Sequence, residues 1–400
     1  MEIRSRWALI FIGISLSFGS FADEAAQVTF ALKLADHTSS VSILLAAGLA
    51  GGILAGPIAP TILQKFGPHN TISAVFFIQS LLIAIASIAN HFWSYIAVSM
   101  ALGCTGSLLW AAIMVAIPSY TSNERHLDRI NRITQSVRNI GYVGGPALGG
   151  LLYGVAHNSW GLLLLALLVL LAAPVTAICF NALAFFNSAP ELASAQNKKN
   201  EQFNLPDLLR TTGVFRAVTP LLMTVMLTST LNVLLIFRIR TELQLSAEIY
   251  GFAISALSVG LILGPAVFSG ILARFGDAAG ASIAAGIIGL GILWLAMTDN
   301  AWTITCATFL IGTANGIQNA LTTSFMMKAI DPLRRVSLMP TYVFCIQMSV
   351  FLGFLGAGII NTSHVSQALM AVGVASTVIG TCGFVLNVKN RPSMITKGAR

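Results

Sequence analysis

Residues 20 to 34 read SFADEAAQVTFALKL, and residues 229 to 243 read STLNVLLIFRIRTEL. They stand 209 positions apart (229 − 20 = 209), and the same shift carries LQKFG, Leu63 to Gly67, onto LARFG, Leu272 to Gly276. A Gly-Pro pair, Gly56-Pro57 and Gly264-Pro265, precedes that loop in each half with a slip of one residue. Weak internal symmetry of this kind marks duplicated membrane bundles with a binding site near the midplane between them. It sets Asp23 opposite Asn232.

Composition fixes the environment of both copies. Of 400 residues 56% are hydrophobic and 9% charged, where a soluble domain carries about 25% charged residues. A bilayer crossing takes about 20 mostly apolar residues. Such runs fall at 7–32, 41–63, 71–89, 92–117, 134–155, 160–186, 214–237, 248–272, 279–298, 301–327, 337–360 and 365–387. The expected fold is an all-α polytopic membrane protein with twelve transmembrane helices in two pseudo-symmetric six-helix bundles, residues 1–186 and 214–400. The polar stretch NSAPELASAQNKKNEQFNLPDLLR, within 187–213, reads as a cytoplasmic linker between them.

A secretory signal peptide ending before Asp23 is a rival reading of the N-terminus, given Arg4, Arg6 and small residues at Ser20 and Ala22. It fails because cleavage there would halve a helix that the duplication needs, and the apolar run continues past the acids to Leu34. Asp23 and Glu24 are therefore read as intramembrane acids.

The formal charge of +8 does not point to nucleic acid. With the N-terminus in the cytoplasm, every Lys and Arg except Lys33, Arg238 and Arg240 falls in a cytoplasmic segment or at a cytoplasmic helix end. The positive-inside rule then sets both termini inside, with the chain in the cell inner membrane. Cys104, Cys179, Cys306, Cys345 and Cys382 lie within spans, none in a CxxC pair, and the six histidines lack ligand spacing. No metal or other cofactor is expected. The absence of a GxxxxGK[ST] loop leaves an ion gradient as the energy source of any pumping, and no nucleophile, base and acid can be grouped for an enzyme.

The fifth span carries GYVGGPALGG, Gly141 to Gly150. Gly141, Gly145 and Gly149 recur every fourth residue, a small-residue face that lets a second helix come close, and Pro146 removes a backbone hydrogen bond. Gly150 completes the run. With its two six-helix halves and central loop, the chain resembles the major facilitator superfamily over nearly its whole length. The fifth span looks like the Gly-Pro-x-x-Gly-Gly signature of drug and metabolite exporters that exchange cargo for protons. The loop PTILQKFGPH, Pro60 to His69, sits where the family has Gly-x-Leu-Ala-Asp-Arg-x-Gly-Arg-Arg. Gly67 is kept, but Pro60, Gln64, Lys65, Pro68 and His69 depart from it, and the acid of that signature has no counterpart here. The stretch Ile117 to Leu152, and Asp23 within FADEAAQVTFAL, are similar to the branch containing the enterobactin exporter. The lysophospholipid transporters share both features.

An acid in mid-bilayer costs about 2.5–3.5 kcal/mol on insertion scales and usually faces water or the bundle interior. Asp23 shares a helical face with Gln27 and Phe30, whereas Glu24 points about 100° away. Like charges on neighbouring residues where water is scarce favour one of them holding a proton. Asp23, with Glu24 second, is the expected proton carrier. Arg138 either pairs with these acids or binds an anionic substrate, or else snorkels to the interface. Asn315, Gln318 and Asn319 are spaced to share one side of the tenth span, and Gln347 lies in the eleventh. These four, with Gln27 and Asn232, either line a substrate cavity or act as interhelical glue.

The resemblance implies a secondary transporter exporting a small organic metabolite, a siderophore first, by proton antiport and alternating access. Multidrug efflux, a lysophospholipid flippase and an uptake permease of the same fold are the alternatives. The expected partners are the substrate, protons and the lipid bilayer, with an outer-membrane export system as a further one.

Overall fold

The structure, a computed structural model, describes residues 19, 21–88, 91–116, 141–154, 160–186, 214–329 and 335–389. The linker expected at 187–213 and Arg138 lie outside them. Among the described residues the chain runs through twelve long helical segments and no strand. They are α1 (21–33), α2 (Thr38–Phe66), α3 (Pro68–Ile88), α4 (Phe92–Ala116), α5 (141–154) and α6 (Trp160–Phe186). The second series is α7 (Val214–Phe237), α8 (Ala247–Ala273), α9 (Asp277–Met297), α10 (Ala301–Ala329), α11 (Arg335–Ala357) and α12 (Val365–Lys389). Each overlies one of the apolar runs, and α6 and α7 share their bounds.

Helix ends are set by local chemistry. Asn300 caps α10, its Oδ1 accepting from the Trp302 amide at 2.9 Å. At the other end of a helix, Gly67 stops α2 with φ 75° while its amide donates to the Leu63 carbonyl at 3.0 Å. Its counterpart 209 residues on, Gly276, stands between α8 and α9 with φ 93°. Only glycine enters that region without strain.

The duplication extends to single atoms. A Cβ on Gly51 would run into the Met100 carbonyl where α2 crosses α4, and one on Gly260 into the Phe309 carbonyl where α8 crosses α10. A Cβ on Gly103 would meet the Gly48 carbonyl, and one on Gly312 the Leu257 carbonyl. All four equivalences keep the 209-residue shift. The wider packing repeats as well: α3 lies along α4 and α6 as α9 lies along α10 and α12.

The chain divides into two compact units. One comprises Met1–Asn197, Leu235–Ser255 and Ala357–Ser363; the other comprises Lys198–Leu234, Ala256–Gly356 and His364–Arg400. In the second, Val214, Val218, Leu221 and Val225 of α7 pack with Met326 of α10 and Tyr342 of α11. In the first, Thr38 Oγ1 donates to the Ile360 carbonyl at 2.5 Å, tying the start of α2 to the turn after α11.

Large apolar side chains cover the outside. Phe77, Leu81, Ile85 and Ile88 of α3 are exposed in a stripe, as a helix facing lipid requires. Trp93 and Trp302, again 209 apart and each the second residue of its helix, are 75% and 80% exposed. Tryptophans so placed sit at the headgroup level of a bilayer. Seven of the helical segments are long and apolar enough to cross one by composition alone, among the described residues. α10 is not one of them, because Asn315, Gln318, Asn319 and its threonines interrupt its apolar run.

A Cβ at Gly67 has open space around it, so the backbone alone opposes one. Gly67→Ala is expected to destabilise the protein by about 1–3 kcal/mol. Gly270→Ala, in open space within α8, is expected to stabilise it by about 0.5–1 kcal/mol. Thermal unfolding of the two variants in detergent checks the opposite signs.

Candidate functional site

α1 is built on small residues. Ala22, Ala25 and Ala26 are buried at its contacts, which leaves Phe21, Asp23, Glu24 and Gln27 half-buried. The two acids diverge. One oxygen of Asp23, Oδ2, stands 3.5 Å from where a Cβ on Gly106 of α4 would be, and the other, Oδ1, is closed off from solvent. Glu24 instead has its Cβ against α5, 2.6 Å from where a Cβ on Gly145 would lie.

Gln27, one turn after Asp23, reaches both α2 and α4. Its Oε1 is 3.0 Å from Ser99 Oγ, which also stands 3.0 Å from the Leu44 carbonyl. A hydroxyl has one proton to donate, so Ser99 serves one acceptor at a time. At the end of α1, Lys33 Nζ donates to the Tyr95 hydroxyl at 3.1 Å, and the Tyr95 ring stacks at 5.1 Å on Phe30.

α5 is helical from 141 to 154 through Pro146, and Gly141, Gly145, Pro146, Gly149 and Gly150 are all buried. Its glycines serve two neighbours. On one side, a Cβ on Gly149 would stand 2.6 Å from the Ala25 carbonyl and 3.0 Å from Val28 Cβ, so α1 lies directly on Gly145 and Gly149. On the other, a Cβ on Gly150 would meet the Ala247 carbonyl at 2.7 Å, and one on Gly251 the Pro146 carbonyl at 2.6 Å. The start of α8 therefore packs as closely as α1 does. One turn on, the Glu248 carboxylate fills the space beside Gly154.

Among the other expected site residues, Asn232 of α7 and Gln347 of α11 are half-buried. On α10, Asn319 Nδ2 donates to Asn315 Oδ1 at 3.2 Å, both half-buried. Gln318 is turned into the packing at 1% exposure. Spacing alone put all three on one side of the helix. The one-residue step from 318 to 319 is enough to carry Gln318 into the interior.

Two ion pairs were not read from the sequence. Arg238 and Glu242 bond at 2.9 Å within a π-helical turn, Arg238–Glu242, that follows α7, and Arg238 is buried. Their spacing of four was the available signal. Arg240 Nη1 donates to the Leu245 carbonyl at 2.8 Å. Lys33, Arg238 and Arg240, the cations that stood apart from the charge rule, are thus each held by a protein acceptor. The second pair joins Lys328 of α10 to Asp277 of α9 at 2.5 Å. Position 277 corresponds to Pro68 in the first half, so this charge contact belongs to the second half alone. Among the described residues no group of three His, Cys, Asp or Glu is placed to hold a metal ion.

Residues 9–354 match the model of the Major Facilitator Superfamily. The chain belongs to that family. No curated protein matches it in sequence. Its fold is similar to a bacterial homologue of the iron transporter ferroportin in an inward-facing state, with a TM-score of 0.66 and 14% identity over 95% of this chain and 99% of that one. It is also similar to the nucleoside transporter NupG, at 0.70 and 12% over 96% and 100%. A third similar structure is the peptide transporter POT in complex with sulfate, at 0.69 and 15% over 96% and 94%. The molecule is a multi-pass membrane transporter with the twelve-helix, two-domain fold of the superfamily, and these likenesses point away from an enzyme.

The α1–α5 contact makes a stability prediction. Gly149→Ala places a methyl against the Ala25 carbonyl and is expected to cost about 1–3 kcal/mol. At Gly56 a Cβ meets nothing within 4 Å, and Gly56→Ala is expected to unfold no earlier than the wild type. Thermal melts followed by size-exclusion chromatography compare the two.

Proposed function

We propose that this transporter exports a small organic metabolite, a siderophore, across the inner membrane in exchange for protons. Residues 1–186 and 214–400 act as the two halves that alternate access, joined by 187–213, with both termini in the cytoplasm. The observation that carries the reading is the pair Asp23 and Glu24 on α1. The pair is half-buried, with Asp23 on the α4 side and Glu24 rooted against α5. An ionised carboxylate in hydrocarbon is costly, and a protonated one much less so. Asp23 then takes a proton when its site opens to the acidic side and releases it when the site opens to the cytoplasm, each direction committing the cargo to the other.

The α5 glycines support this reading, because small residues against α1 and α8 let helices separate and re-seat without interlocked side chains to disengage. Arg138 would meet an anionic part of the cargo. An outer-membrane system would complete release from the cell. A second reading, efflux of cationic drugs, draws on the same two acids, which would then attract the cargo itself.

Asp23→Asn removes the titrating group and keeps the shape. The variant is expected to insert normally and to lose export driven by a pH gradient; export at the wild-type rate would remove Asp23 from the cycle. For the cargo, a deletion strain under iron limitation is expected to hold siderophore inside and lose it from the medium, with the cloned gene restoring release. An unchanged partition would exclude siderophore and turn the search to drugs and lysophospholipids.

A further inference from the structure

We infer that Lys65 and Arg274 each hold the phosphate of an anionic phospholipid, so that the transporter carries two equivalent lipid sites, one on each half of the chain. The inference concerns the bilayer and not the cargo. Only the leaflet, the cytoplasmic one, is taken from the proposed topology.

The two sites are copies of one pattern. On α2 the exposed residues Leu54, Ile58, Thr61 and Lys65 recur every third or fourth position and so share a face. On α8 the same face is Leu263, Val267, Gly270 and Arg274, all exposed, and the 209-residue shift carries each member of the first series onto its counterpart in the second. Both series are apolar or small until they end on a cation. An exposed phenylalanine follows, Phe66 or Phe275, and then a glycine at positive φ, Gly67 at 75° or Gly276 at 93°. The chain therefore turns off each helix in the same way, just past the cation and the ring.

Length sets the depth of these corners. α2 has 29 residues and α8 has 27, which makes them about 43 Å and about 40 Å long, whereas the hydrocarbon core is about 30 Å thick. The apolar spans end at Ala59 and Ala273, so Lys65 and Arg274 stand beyond the lipid tails, at the level of the phosphates. A phospholipid has the same order of parts, an apolar chain to lie along the stripe and a charged group to meet its end. The rings have fixed places there: Lys65 Nζ lies 5.3 Å over the centroid of Phe66, and Phe275 stands edge-on to Phe384 of α12 at 6.4 Å.

Charge selects the headgroup. The loop segments 60–69 and 269–276 contain no acid, and the residue before the cation is Gln64 in one and Ala273 in the other. The next acid, Asp277, is paired with Lys328 at 2.5 Å. A choline or ethanolamine group would thus be brought beside a cation with no loop carboxylate to receive it, whereas a lipid of net negative charge meets complementary charge alone. A soluble phosphate would engage the cation and leave the apolar stripe unused. The guanidinium of Arg274 can offer two donors to one phosphate where Lys65 offers a point charge.

Native mass spectrometry and thermal melts of the purified full-length protein in detergent, with added phosphatidylglycerol or phosphatidylcholine, test this. The wild type is expected to retain two phosphatidylglycerols and to melt higher with them, and phosphatidylcholine is expected neither to be retained nor to shift the melt. Lys65→Gln and Arg274→Gln should each lose one retained lipid, and the double variant both. Lys65→Arg with Arg274→Lys keeps both lipids, as does Arg125→Gln with Arg129→Gln, which removes two charges from another basic segment. Equal retention of phosphatidylcholine, retention of phosphatidylglycerol by the Lys65→Gln, Arg274→Gln variant, or equal loss in the Arg125, Arg129 variant overturns the sites. Glycerol 3-phosphate is expected to leave the melt unchanged; a rise matching that with lipid would assign the cations to a soluble phosphate and overturn the lipid reading. Both side chains are exposed, and a wild-type melting temperature of the double variant in phosphatidylcholine checks that its fold is intact.

Discussion

Inside hydrocarbon two helices gain nothing by shedding water, so their association rests on how closely their backbones can approach. In this chain that approach is made by glycines set against carbonyl oxygens. Gly51 and Gly103 join α2 to α4, Gly260 and Gly312 join α8 to α10, and Gly145 and Gly149 join α5 to α1. At these crossings a methyl group would displace a backbone and not a flexible side-chain tip. The position of Asp23 follows from them: α1 is held on α5 by the same contact that turns Asp23 toward α4.

Most of the helical plan was legible because its signal is the plainest one a sequence carries, apolar runs of bilayer length broken by charge, proline and glycine. Trp160–Phe186 and Val214–Phe237 appear as read. The register of the duplication was legible too, in the paired loops ending at Gly67 and Gly276, and it proves to extend to individual carbonyl contacts. Other features depend on tertiary packing, which spacing does not encode. The glycine face of α5 announced one close neighbour, but nothing in it named α8 as a second. Gln318 shared a face with Asn315 and Asn319 on a helical wheel, yet the packing of α10 takes it inward. Arg238 stood out only as a cation on the unexpected side, until the π-helical turn set Glu242 against it.

The two copies kept their scaffold and diverged in chemistry. Gly51 and Gly103 recur as Gly260 and Gly312, each required by a close backbone approach, whereas other facing positions differ between the copies. Asp23 against Asn232 and Gly106 against Asn315 show that difference in the middle of the membrane. Pro68 against Asp277 shows it at the loops, where Asp277 ties α9 to α10 by an ion pair with Lys328 and proline offers no charge. A duplicated bundle thus becomes asymmetric without loss of fold.

The polarity of α10 also bears on how the chain is made. A segment with three amides in its central turns partitions poorly into lipid by itself, and leaves the translocation channel unwillingly as a lone helix. Its companion is α9, which packs along it and is joined to it by the short turn capped by Asn300. Entry of α10 into the bilayer is therefore expected to be favoured by α9 beside it, the two inserting as a hairpin.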